Sequence, residues 1–178
     1  MTSFERIDFN VVGKWDYSSG KQFPYGDTTT YIKAGVFLGI CKTVEDWGCG
    51  TAYAKQFMKG TYIGIDGSKG PHADKVADLR EYRSSPEGIL LRHVLDHNLD
   101  WRKILSNAIA SFQKRLCIVI FTPFSKDTRV LCSTNGIPDI SFRKEEITEA
   151  LQGLKYTEEP LSTNSQYGVE HVFYVERN

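Results

Sequence analysis

The sequence predicts a doubly wound α/β fold built on a mostly parallel sheet, and three observations carry that reading. Short apolar or β-branched runs alternate with helix-like segments from residue 42 onward, as βαβ units do. One run, Leu116–Phe121, reads Leu-Cys-Ile-Val-Ile-Phe and suits a strand covered on both faces. The first run leads through a glycine turn into a helix-like segment. In folds of this kind, ligands gather beyond the carboxyl ends of the strands.

Each element can be justified in order. Residues 1–26 mix aromatics (Phe4, Phe9, Trp15, Tyr17, Phe23, Tyr25) with Gly13, Gly20, Pro24 and Gly26, which reads as an irregular packed segment able to act as a lid. Asp27 is a good N-cap for a helix from Thr28 to about Leu38, with Tyr31, Ala34, Val36 and Phe37 as its apolar side and Gly39 as its stop. Strands are expected at Thr43–Asp46, Tyr62–Asp66, Lys75–Ala77, Gly88–Leu91 and Leu116–Phe121, with a helix from Ala52 to Met58 closed by Gly60. The clearest helix begins at Trp101: Ile104, Leu105, Ala108, Ile109 and Phe112 continue its apolar stripe, and Asp100 is placed to cap it. Pro123 to Ile140 reads as a loop, Ser141 as the cap of a helix through about Gln152, and Tyr156–Thr157 with His171–Glu176 as a final antiparallel strand pair.

Composition narrows the function. The 178 residues have room for one compact domain, and 40% hydrophobic content supplies a core, which excludes disordered and fibrous classes. Lys and Arg total 22 against 22 Asp and Glu, so no long-range positive field exists to gather a nucleic acid or an anionic membrane surface. No apolar run approaches the roughly 20 residues that span a bilayer, and the start lacks the features of a signal peptide; a cytoplasmic protein is expected. Cys41, Cys49, Cys117 and Cys132 are widely spaced and read as reduced, mostly buried thiols.

The segment Val44-Glu45-Asp46-Trp47-Gly48-Cys49-Gly50-Thr51-Ala52 carries the chemistry. Its glycines let the backbone approach a ligand, and the following helix start offers free N–H groups. Tyr62-Ile63-Gly64-Ile65-Asp66-Gly67-Ser68 is a second strand ending in an acid that can accept both hydroxyls of a ribose. A dinucleotide fingerprint needs a third glycine where Tyr53 stands, and Asp46 puts negative charge where phosphates would lie. The ligand expected is therefore one with a cationic or zwitterionic end and no phosphate.

Together these residues resemble the class I S-adenosylmethionine-dependent methyltransferases, small and of the type 11-like kind, over about residues 42–125. The first motif of that family reads roughly Val-Leu-Asp-Leu-Gly-Cys-Gly-Thr-Gly, and Val44–Thr51 match it, with Ala52 where the last glycine is usual. Ala77-Asp78-Leu79 is similar to the third motif, Leu90–His97 to the Val-Leu-Glu-His stretch, and Ile120–Phe124 to the element ending the fifth strand. The resemblance implies a Rossmann-like, three-layer α/β/α fold with a seven-stranded, mostly parallel sheet whose last strand is antiparallel. It implies one methyltransferase-like domain over 1–178: a lid and first helix in 1–40, a cofactor-binding core in 42–125, and the final helix and strand pair in 141–178.

The cofactor so implied is S-adenosylmethionine, with S-adenosylhomocysteine as product. Its binding residues would be Asp46, Gly48, Cys49, Gly50, Asp66, Gly67, Ser68, Asp78, Leu79, Arg92 and His93. Methyl transfer to a hydroxyl gains from a base, and we expect His93 first and His97 second in that role. Tyr25, Tyr31 and Phe124 are candidate acceptor contacts, while Gln166, Tyr167 and His171 read first as a hairpin turn with Gly168. A metal held by His93 and His97 is not expected, because no third ligand is evident and the Glu of zinc peptidases is missing. Arg80 and Arg92 read first as surface arginines, although either could grip an acidic acceptor. The expected acceptor is a small molecule or sugar, methylated on oxygen or nitrogen, with no membrane or nucleic-acid partner and a homodimer left open. The alternative is a catalytically inactive S-adenosylmethionine-binding partner or regulatory protein.

Overall fold

The computed structural model describes residues 15–177 and shows a seven-stranded sheet between helices. Helix α1 (Thr29–Leu38) comes first, then β1 (Thr43–Trp47), β2 (Thr61–Asp66), β3 (Lys75–Val76) and β4 (Gly88–Arg92). After them follow α2 (Trp101–Ser111), β5 (Arg115–Ile120), β6 (Arg129–Thr134), β7 (Ile137–Ser141), α3 (Lys144–Ala150), β8 (Lys155–Ser162) and β9 (Val169–Glu176). The strand order is β3-β2-β1-β4-β5-β9-β8, and only β9 runs against its neighbours. This is the Rossmann-like, mostly parallel arrangement with an antiparallel strand that the sequence predicts.

Both sheet faces are covered, which explains why β4 and most of β5 are buried throughout. Along β5, Leu116, Ile118 and Ile120 join Ile104, Leu105 and Ala108 of α2 and Ile147 of α3 on one side. The alternate residues Cys117 and Val119 join Tyr31, Ala34 and Leu38 of α1 on the other. Each aliphatic side chain so buried contributes about 1.5–3 kcal/mol. The N-cap of α1 is Thr28 and not Asp27, one residue later than expected, although Asp27 Oδ1 accepts the Thr29 N–H at 2.9 Å from just before it.

Several local expectations are corrected. Ala52–Met58 is not an α-helix but a short 3-10 turn, Tyr53–Phe57, because Ala52 sits at φ +54°, in the left-handed region, and cannot continue a right-handed helix. The expected loop before Ile140 contains the β6–β7 hairpin, closed by Asn135 and Gly136 at φ +52° and +76°. Ser141 ends β7 instead of capping α3: it is buried and its hydroxyl donates to the Pro123 carbonyl at 2.6 Å. Asp100 stands at the N-cap position of α2 as expected, but its carboxylate makes no capping bond and lies 3.2 Å from Arg80 Nη1. Val36 is 74% exposed, so α1 buries Tyr31, Ala34 and Leu38 instead. Phe4, Phe9 and Gly13 lie outside the described residues. Among the described residues no helix is long and apolar enough to cross a membrane.

Candidate functional site

The chain runs β1-β2-β3 toward one sheet edge and then crosses to β4, so strand order reverses between β1 and β4. Crevices form at such switch points, beyond the carboxyl ends of the strands. A cleft of about 740 Å³, counted to its open mouth, lies there and is lined by Gly48, Gly50, Asp66, Gly67, Ala77, Asp78, Leu79, Arg92, His93, Val94, His97, Asn98 and Ile104. Trp15, Tyr17 and Tyr25 from the front segment complete its wall.

The glycine turn after β1 is held from β2. Gly48 and Cys49 donate their N–H groups to the Ile65 carbonyl at 2.7 and 3.0 Å, and Gly50 donates to Asp66 Oδ2 at 2.9 Å. Asp66 Oδ1 accepts the Ser68 N–H at 2.7 Å. Gly48 has φ +79°, and a Cβ there would meet Val94 Cγ2 at 2.4 Å, so both conformation and space demand glycine. Burial pushes the Asp66 carboxyl upward against the N–H groups of Ser68, Gly50 and Gly67, which favour its charged form.

Most residues expected at the site do line the cleft: Gly48, Gly50, Asp66, Gly67, Asp78, Leu79, Arg92, His93, His97 and Tyr25. The others lie outside its lining. Asp46 is buried beneath the turn, accepting the Tyr62 hydroxyl at 2.7 Å. Burial, offset by that bond and reinforced by Asp66, pushes the Asp46 carboxyl up to about 7. Cys49 is buried, and Ser68 accepts the Trp15 N–H at 3.2 Å. Tyr31 packs under Arg92, ring centroid 3.7 Å from the guanidinium carbon, and accepts the Tyr25 N–H. Phe124 stacks on His171 at 4.2 Å. Trp47 and Tyr53, the two bulky residues of the motif, are packed in the core clusters and leave the cleft open.

Arg92 is engaged inside the protein, which corrects its reading as a surface group, whereas Arg80 stays partly exposed. Arg92 is buried, donating to Thr30 Oγ1 at 2.9 Å, the Tyr25 carbonyl at 2.6 Å and Glu170 Oε1 at 3.1 Å. Arg80 donates to both oxygens of Asp78 and lies beside Asp100. Glu170 was not singled out from the sequence; the usable signal is an acid at an inward-facing position of an apolar strand.

The two histidines differ in what they can do. His93, at φ +56°, has Nε2 2.5 Å from Glu170 Oε1 and Nδ1 3.4 Å from Arg92 Nη1. A guanidinium only donates, so Nδ1 carries the lone pair and Nε2 the proton, and both nitrogens are occupied. Burial and the Arg92 charge outweigh Glu170 and push the imidazole down to about 4. His97 places Nδ1 3.0 Å from the Pro138 carbonyl and 3.3 Å from Asp139 Oδ1, both acceptors, so Nδ1 holds the proton. Its Nε2 makes no hydrogen bond among the described residues, and the ring lines the cleft. Burial pulls the His97 pKa down, but Asp139, Asp96 and the Pro138 carbonyl together raise it above the ordinary imidazole value.

Among the described residues no three metal-ligating side chains converge. No protein-family model matches the sequence, and no curated protein matches it. Solved structures do. Magnesium protoporphyrin IX methyltransferase from Synechocystis, with bound S-adenosylhomocysteine, aligns at a TM-score of 0.67 and 16% identity over 96% of this chain and 100% of that one. The same enzyme has also been solved with S-adenosylmethionine. The 1,6-didemethyltoxoflavin-N1-methyltransferase of Burkholderia thailandensis, with its acceptor and S-adenosylhomocysteine, aligns at 0.65 and 17% identity over 85% of this chain and 80% of that one. An S-adenosylmethionine-dependent methyltransferase from Mesorhizobium loti aligns at 0.59 and 12% identity over 84% and 97%. This chain has the class I methyltransferase fold.

Proposed function

We propose that the protein is an S-adenosylmethionine-dependent methyltransferase acting on a small-molecule acceptor. The observation that carries this reading is the switch-point cleft, where a backbone turn that only glycine permits at residue 48 is tied directly to the Asp66 carboxylate and both line the open space. Asp66 retains lone pairs beyond those taken by Gly50 and Ser68 and suits the two ribose hydroxyls. Ala77, Asp78 and Leu79 would flank the adenine. A diphosphate fits poorly beside the Asp66 carboxylate that lines the cleft, as like charges repel. When bound, S-adenosylmethionine supplies a methyl group on a sulfonium, whose loss leaves a neutral thioether.

The chain's own contribution is to align the acceptor and keep water out, and such positioning supplies several kcal/mol of the barrier reduction, up to about 7–11. Trp15, Tyr17 and Tyr25 wall the mouth; Tyr17 lies so close that a Cβ at Gly50 would sit 3.2 Å from its hydroxyl. Thermal denaturation tests the reading: S-adenosylhomocysteine raises the melting temperature and NAD leaves it unchanged. Stabilisation by NAD alone would overturn it. Transfer of labelled methyl to a panel of acceptors then separates an enzyme from a binding protein.

A further inference from the structure

We infer that the acceptor is a hydroxylated aromatic compound whose O–H is deprotonated by His97, with Asp139 as the positioning residue that holds the imidazole in its reactive tautomer. The inference rests on the methyl-transfer reading above and extends it to the acceptor class and its base.

The geometry comes from three elements that are distant along the chain. His97 ends the short turn after β4, Asp139 and Pro138 lie on β7, and Tyr167 lies in the β8–β9 connection. Asp139 Oδ1 is 3.3 Å from His97 Nδ1, while Oδ2 accepts from Tyr167 Oη at 2.8 Å and Gln166 Nε2 at 3.1 Å. Cys132 Sγ lies 3.2 Å from the same oxygen. The carboxylate is thus held from behind by donors and presented to the ring, an arrangement that fixes tautomer and orientation. Asp96 reaches the ring only through its charge, its Oδ1 being taken by Phe121 N, Thr122 N and Thr122 Oγ1. His93 is the remaining titratable neighbour and is kept neutral by burial and Arg92.

An amine that is neutral at the working pH needs no such base, since it already carries the attacking lone pair. A hydroxyl gains from one, and general-base help is worth roughly 10²–10⁴-fold. The walls suit an aromatic ring: Trp15 and Tyr25 line the cleft with their rings 6.4 Å apart, and Trp15 lies 5.4 Å from His97 edge-on. In the step, the hydroxyl proton passes to His97 Nε2 and the freed oxygen pair forms the new O–CH₃ bond. The broken C–S pair stays on the departing thioether sulfur. Imidazolium thus replaces sulfonium as the cation, and its proton later passes to water.

Nitrogen-15 NMR of the histidine rings tests the dyad without any acceptor. In the wild-type protein bound to S-adenosylhomocysteine, with His97→Gln used for assignment, the neutral ring of His97 should carry its proton on Nδ1. Asp139→Asn should lower its pKa, and a neutral ring protonated on Nε2 would overturn the inference. Turnover is read with 4-methylphenol and aniline as probes. The phenol should be methylated along a limb that rises with pH above the ordinary imidazole value. His97→Gln should lower kcat by a hundredfold or more, and Asp139→Asn should move the limb to lower pH with KM little changed. Methylation of aniline alone, or of neither probe, overturns the acceptor class; unaltered binding of S-adenosylhomocysteine would show that the cofactor reading survives.

Discussion

Asp66, at the carboxyl end of β2, accepts the backbone N–H of Gly50 at 2.9 Å and thereby ties the glycine turn after β1 to the neighbouring strand. The same carboxylate lines the cleft. One side chain therefore shapes the turn and faces the ligand.

Asp66→Ala should lose both roles. Removing a charged acceptor costs about 2 kcal/mol of binding, or roughly thirtyfold in affinity for S-adenosylhomocysteine. The melting temperature should also drop, because the Gly50 and Ser68 N–H groups lose their acceptor. Calorimetric titration checks the first effect, and a loss under twofold would remove Asp66 from the ribose.

The turn makes opposite predictions at two of its positions. Gly48→Ala forces a Cβ against Val94 in a left-handed conformation and should cost about 2–4 kcal/mol. Ala52 already sits in that region at φ +54°, so Ala52→Gly should leave stability unchanged or raise it by up to about 1 kcal/mol. Urea unfolding of the two variants separates them by sign.

His93 makes stability depend on pH. Its folded pKa, pushed down to about 4, lies below the ordinary 6.5, so between those values the unfolded chain binds more protons than the folded one. Stability should therefore fall on acidification through that window, by up to about 3 kcal/mol. His93→Gln should flatten this slope in melts between pH 7 and 4.5 and leave the pH limb of turnover in place.

Asp96 acts with the opposite sign. Burial, offset by His97 and the bonds to Thr122, pushes its carboxyl up to about 6, and its Oδ2 is buried without a hydrogen-bond partner among the described residues. The folded state thus binds the proton more readily, and the ionised form at neutral pH costs stability. Asp96→Asn can keep the Oδ1 contacts and should be more stable than the wild type at pH 7.5, by an amount on the order of 1–3 kcal/mol that shrinks toward pH 4.

Strands β4 and β5 were legible because strands buried on both faces leave apolar runs. The glycine turn was legible because Gly48 has no substitute beside Val94. Other features were hidden by physics that a linear reading does not carry. The hairpin signal Asn135-Gly136 was present, but β6 is largely exposed and lacks the alternating apolar pattern that would have confirmed a strand. The 3-10 turn after β1 follows from the backbone at Ala52, and no propensity scale reports that. At the site, His93 and His97 were both visible in sequence, yet their ranking depends on Glu170 and Asp139. Those partners lie far along the chain and arrive only when β9 and β7 pack beside the turn.

The most direct test of the central claim is calorimetric titration of the wild-type protein with S-adenosylhomocysteine, with NAD as the comparison ligand. The account predicts one saturable site for the former and none for the latter. Absence of heat with S-adenosylhomocysteine at millimolar concentration, or a site for NAD instead, would contradict it.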